Sequence, residues 1–131
     1  MIITKEQADQ EIASWLDNKG VRPKKREAYK ASIESLEDAI SEGDLVLNED
    51  FTLTQKLKQP TSGDVPITSL TYKARLTVGE VKKKMENVKP GDPDARIIAL
   101  VSALTTQPKG VIEALDTDDY GIAQNIALFF V

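Results

Sequence analysis

GDLVLNEDFTLTQKL, residues 43–57, decides the fold. Up to Gly43 the apolar residues recur at helical spacing, and from Leu45 onward they alternate with polar ones. Leu45 and Leu47 alternate, Asn48, Glu49 and Asp50 supply turn residues, and Phe51, Leu53 and Leu57 resume around Thr52 and Thr54. This pattern predicts a β-hairpin. PTSGD, residues 60–64, is a second turn signal. Beyond it Ile67, Leu70, Tyr72, Ala74 and Leu76 alternate with one slip near Ser69, which predicts a bulge. The product is a small antiparallel meander whose apolar face needs a cover.

Both flanks predict helices. Before the meander, Thr4 and Gln7 have the spacing of a capping box, Ala8, Ile12, Trp15 and Leu16 form an apolar stripe, and Gly20 supplies a stop. Pro23 suits the first turn of a second helix carrying Tyr29, Ile33, Leu36 and Ile40. The two stripes can face each other as an antiparallel pair, with Trp15 as a packing anchor. After the meander, Thr77 and Glu80 form another capping box ahead of Val78, Val81, Met85 and Val88. Asp92 and Pro93 open a helix with Ile97, Ile98, Leu100, Val101 and Leu104. Val111, Ile112 and Leu115 lie on a short turn, and a last helix bears Ile122, Ile126 and Phe129. The expected class is α+β: an N-terminal helical pair, a small antiparallel meander and C-terminal helices packed on the sheet. One domain over 1–131 is expected, with 1–42 as a helical extension of the unit 43–131.

Composition narrows the chemistry. The chain has no cysteine and no histidine, which removes disulfides, thiolate metal sites, the cysteine nucleophile and the commonest general base. An enzyme is not expected, nor any cofactor. MIITKEQADQ, residues 1–10, carries neither the basic start nor the apolar core of a signal peptide, so a cytosolic location is expected. A net charge of −4 argues against a dedicated nucleic-acid binder, whose affinity comes from neutralising phosphates. Two basic clusters stand against that trend: Arg22, Lys24, Lys25 and Arg26 around Pro23, and Lys82, Lys83 and Lys84. With no aromatic residues interleaved to stack on bases, both read as solvated helix faces. A small regulatory or nucleic-acid accessory protein using the Arg22–Arg26 cluster is the alternative reading.

LDTDDYGI, residues 115–122, has the look of half a calcium loop. Counted from Asp116, Asp118 and Gly121 fall in place, but the fifth position is Tyr120 and the twelfth is Ala127, so two ligands are missing. Helix capping explains the carboxylates without a metal: Asp116 or Thr117 accepts from free amides, while Asp118 and Asp119 sit exposed in the positive first turn. The chain then ends on IALFFV. Phe130 lies about 100° around an α-helix from Phe129, so the stripe Ile122, Ile126 and Phe129 leaves one ring for a second surface. Ile122, Ile126, Phe129, Phe130 and Val131 are therefore candidate partner-binding residues.

Several segments carry a family likeness. FTLTQKLKQP (51–60), ITSLTYKARLTVGEVKKKM (67–85), IIALVSALTTQP (97–108) and EALDTDDYGIAQNIALFF (113–130) resemble the tail assembly chaperones of Mu-like and P2-like contractile-tailed bacteriophages. Ala74, Arg75 and Leu76 stand where that family usually carries a charged residue and a proline, and the N-terminal pair lies outside the resemblance. The resemblance implies a non-enzymatic phage or prophage protein of the host bacterial cytoplasm. It would keep the tape measure protein soluble while tail tube protein polymerises around it, and it would self-associate.

Overall fold

The computed structural model describes residues 3–131. Helix α1 (Lys5–Lys19) starts on the expected capping box: Thr4 Oγ1 accepts from the Gln7 amide at 3.1 Å, and the Gln7 side chain accepts from the Thr4 amide at 3.2 Å. Gly20, at φ 72°, closes it in the left-handed conformation that glycine adopts without penalty. Its buried side chains are Ala8, Ile12, Trp15 and Leu16.

Where one further helix was expected the chain forms two, α2 (Pro23–Ala28) and α3 (Lys30–Ser41), separated at Tyr29 with φ −108° and ψ 29°. The two pieces answer to different anchors. Helix α2 buries no residue and is tied to α1 and the connection after it by polar bonds: Arg26 Nε donates to the Val21 carbonyl at 2.9 Å, and its guanidinium pairs with Asp17 of α1 at 2.7 Å. Helix α3 is held by its buried Leu36, Ala39 and Ile40. The bend lets each piece reach its own contacts. Ser41 Oγ donates to the Ile3 carbonyl at 3.0 Å, so α3 ends where α1 begins and the pair runs antiparallel.

Strands β1 (Leu45–Leu47), β2 (Leu53–Lys56) and β3 (Ser69–Tyr72) form an antiparallel sheet in the order β1-β2-β3. Leu45, Leu53, Gln55, Leu70 and Tyr72 are buried, and Leu57 continues that face just past β2. Three local expectations change. Phe51 belongs to the turn, at φ 66°. Asp50 Oδ1 accepts from both the amide and the hydroxyl of Thr52, at 3.1 and 2.6 Å, and this local bonding sets the turn. The slip near Ser69 marks where pairing starts and inserts no extra residue, because one register runs from Leu53↔Tyr72 to Lys56↔Ser69. Ala74 and Leu76 lie beyond β3, since the Lys73 amide turns away to the Leu104 carbonyl at 2.9 Å.

Helices α4 (Val78–Met85), α5 (Pro93–Thr105), α6 (Lys109–Glu113) and α7 (Thr117–Ala127) follow, and a 3-10 turn (Leu128–Phe130) ends the fold. Thr77 and Glu80 form the expected box, and Asp92 accepts from the Ala95 amide at 3.1 Å ahead of Pro93. Helix α4 buries nothing, and Val78, expected in its apolar stripe, is 83% exposed. Helix α5 covers β3, while α7 packs between α3 and α5. One buried cluster runs from Ala8 and Trp15 through Leu36, Leu53 and Leu104 to Phe129, joining both helical layers to the sheet.

Two tests follow from this layering. Fragment 1–42 keeps the packing of α3 on α1 but loses that of α3 on α7 and β1, so by circular dichroism it is expected to be largely unfolded, and a cooperative melt of the fragment would contradict a shared core. Between α1 and α3, burial pushes the Glu37 carboxyl up to about 7. A hydrogen bond that the protonated Glu37 donates to Asp9, and the charges of Asp9 and Glu34, add to this, with Lys5 opposing. A raised folded-state value means the native protein keeps a proton that the unfolded chain has lost. This group's contribution is complete below the ordinary glutamate range and disappears as pH rises to about 7. Glu37→Gln should flatten that slope in melts taken from pH about 4.5 to 7.5, by at most about 1 kcal/mol after solvent screening. A slope identical to wild type would rule the pair out as its source.

Candidate functional site

The three carboxylates of LDTDDYGI part company in the fold. Asp116 caps α7, its Oδ2 accepting from the Asp118 amide at 3.1 Å, and Asp118 is exposed in the first turn as expected. Asp119 is fully buried, contrary to the expectation that it shares that exposed position. Its Oδ1 accepts from the Lys58 amide at 3.0 Å and its Oδ2 from the Gln59 amide at 3.1 Å, in the segment that leaves β2. Its backbone carbonyl accepts from Gln55 Nε2 at 2.9 Å, and Gln55 Oε1 accepts from the Tyr72 hydroxyl at 2.5 Å. Burial first, and the Asp119 charge second, push the Tyr72 hydroxyl upward, which keeps it protonated as the donor.

The helical period puts Asp119 three residues ahead of Ile122 and four ahead of Ala123, on the face that turns inward. A buried carboxylate is tolerable there because two backbone N–H groups and the positive end of α7 replace its hydration. Among the described residues no group of three or more acidic side chains stands close enough to share a metal ion. The arrangement is a clamp between sheet and helix.

The basic clusters are also partly consumed by the fold. Arg26 holds α2 to α1, and Lys25 Nζ lies 5.9 Å from the Tyr29 ring centre and 3.3 Å from the Val131 carbonyl. Arg22 and Lys24 are exposed, as are Lys82 and Lys83 on α4.

At the end of the chain the candidate partner-binding residues divide. Ile126 and Phe129 are core, Ile122 and Phe130 are half-buried, and Val131 is 67% exposed. The expected division of labour between the two phenylalanines changes, because Trp15 serves both. Its ring meets Phe129 edge-on at 5.6 Å and 83°, and Phe130 at 6.2 Å and 53°. Neighbouring side chains on the 3-10 turn Leu128–Phe130 stand about 120° apart, slightly more than on an α-helix, and both rings meet Trp15 because the indole is broad enough to touch the two of them. Tyr29 adds a second edge contact to Phe129 at 5.8 Å. Lys19 Nζ sits 3.3 Å from the centre of the Phe130 ring.

Beside Phe130 opens a groove of about 580 Å³. Half-buried Leu76 and Val81 line it together with exposed Val78, and Lys19, Arg75 and Lys82 supply cations. Burial, followed by the charges of Arg75 and Lys25, lowers Lys19 to about 8. Arg75 also donates to the Asn18 carbonyl at 3.0 Å, fixing the 75–78 segment to the end of α1. Sequence reasoning missed this groove, since it assigned Leu76 to a strand and Val78 to a buried stripe. Lys19 lies more than fifty residues before Arg75 and Lys82 in the chain, and the one local signal was an apolar residue at the first position of a capped helix. No protein-family model, curated protein or solved structure matches the chain.

The clamp generates a sharp comparison. Asp118→Asn is expected to change stability only by the exposed dipole contribution, about 0.3–1 kcal/mol. Asp119→Asn sets an amide N–H₂ against a backbone donor and leaves one buried N–H unpaired, at a cost of roughly 1–3 kcal/mol. Denaturant melts of the two variants decide it, and equal effects would remove the clamp from the account.

Proposed function

We propose that this protein is a non-enzymatic phage or prophage tail assembly chaperone. On this reading it works in the host bacterial cytoplasm, holding the tape measure protein soluble while tail tube protein assembles around it, and it self-associates. The observation that carries the reading is the apolar edge formed by Phe130 and Val131 beside exposed Val78, on a chain whose net charge of −4 favours solubility. An amphipathic helix of a long, partly apolar partner needs such a surface to cover it. The resemblance of segments 51–60, 67–85, 97–108 and 113–130 to the tail chaperones supports the same reading. The absence of cysteine and histidine, and carboxylates engaged in capping and clamping, support a binding role over a chemical one. The alternative of nucleic-acid binding through Arg22–Arg26 is weakened by the engagement of Arg26 with Asp17 and Val21.

Co-expression with the tape measure protein of the phage or prophage that encodes this chain tests the proposal. Wild type should raise the soluble fraction of that partner severalfold over expression of the partner alone. Phe130→Ser should lose most of this effect, at a stability cost of about 0.5–1.5 kcal/mol for its aromatic contact. Phe129→Ser should lower stability by about 3–5 kcal/mol as a core aromatic. A partner that stays insoluble beside folded wild-type protein would sink the chaperone reading.

A further inference from the structure

The charge of the groove beside Phe130 runs opposite to that of the chain. The whole protein carries a net −4, yet the charged side chains lining this groove are Lys19, Arg75 and Lys82, with no acidic side chain among them. Like charges around apolar side chains repel one another; Lys19 is lowered to about 8 first by burial and then by the charges of Arg75 and Lys25. An occupant bearing carboxylates relieves that repulsion.

The apolar part of the lining is equally uneven. Of the four large hydrophobic residues exposed among the described residues, Val78 and Val131 both line this one groove, at 83% and 67% exposure. The groove is walled by α4, the end of α1 and the C-terminal 3-10 turn, and no strand contributes to it. An extended peptide laid there would find no sheet edge to satisfy its backbone. A helix arrives with its backbone already satisfied and offers side chains alone. Lys19 over the Phe130 ring also covers the aromatic face that a nucleic-acid base would stack on.

We propose that this groove is the docking site for an acidic amphipathic helix of a partner protein, whose apolar stripe packs on Leu76, Val78 and Phe130 while flanking carboxylates pair with Lys19, Arg75 and Lys82. The inference holds for any partner of that chemistry and does not require the chaperone reading. Its specificity comes from the cations, since like-charge juxtaposition at the rim rejects basic helices.

The test uses the full-length protein and two fluorescein-labelled synthetic helical peptides. They share leucines at i, i+3, i+4 and i+7 and differ in carrying glutamates or lysines at the flanking positions. Fluorescence anisotropy should show the glutamate peptide binding at least about tenfold more tightly than the lysine peptide, and losing affinity as salt is raised. Lys82→Glu should narrow or reverse that preference. Val78→Asp should abolish binding of the glutamate peptide. Val78→Asp should melt as wild type does, since an aspartate suits the first turn of α4, and Lys82→Glu only slightly lower, since Lys82 is exposed but lies in the last turn, where the helix dipole favours a cation. Equal affinity for the two peptides, no binding of either, or unchanged binding by Lys82→Glu overturns the proposal. So does light scattering that shows a wild-type dimer dissociated by Val78→Asp, because the occupant is then a second copy of this chain.

Discussion

The fold turns on a single buried carboxylate. Asp119, at the start of α7, accepts the amide protons of Lys58 and Gln59 as the chain leaves β2, and its own carbonyl receives Gln55 from the middle strand. Those two amides sit beyond the last paired residue of β2, where the ladder no longer supplies acceptors. A charged acceptor in this dry setting is worth more than a neutral one, and it is also less forgiving of removal. The bond fixes the distance and rotation of α7 on the sheet.

Everything at the far end of α7 inherits that placement. With α7 set, Ala123, Ile126 and Ala127 enter the core, and the 3-10 turn brings both phenylalanines to Trp15. Trp15 belongs to α1, so the aromatic cluster ties the last element of the fold to the first. Tyr29, at the bend between α2 and α3, closes the same cluster from the other side. The bend is thus a packing requirement: a straight helix through Tyr29 would have to choose between the Asp17 ion pair and the core contacts of Leu36 and Ile40.

Polar surface is distributed as unevenly as apolar surface. Acidic side chains of α1 and α3 gather at Asp9, Glu34 and Glu37, where burial first and the neighbouring carboxylates second raise the Glu37 carboxyl. The opposite imbalance appears at the groove, where cations from the end of α1, the 75–78 segment and α4 gather over exposed valine and half-buried phenylalanine. Such segregation contributes little to folding, because exposed charges are well screened, but it decides which partner surfaces are tolerated. The chaperone reading and the docking groove both draw on this asymmetry, the first through the apolar edge alone and the second through its cationic frame.

Periodicity and local chemistry made the elements legible. Thr4 with Gln7, Thr77 with Glu80, Asp92 with Pro93 and Gly20 mark helix ends through bonds that span only a few residues, and the switch in period after Gly43 marks the sheet. The α+β class, the order of elements and most of the core follow from those signals, because burial repeats at 3.6 or at 2 regardless of what lies opposite. Long-range partners decided the rest. Asp118 and Asp119 are adjacent and chemically identical, and only the arrival of the Lys58 and Gln59 amides, some sixty residues earlier in the chain, makes one a buried clamp and leaves the other in water. Phe129 and Phe130 were separated by helical geometry until Trp15 met both. Lys19 shares no local pattern with Arg75 and Lys82, and the three line one groove only because the fold sets the end of α1 across from the segment 75–82.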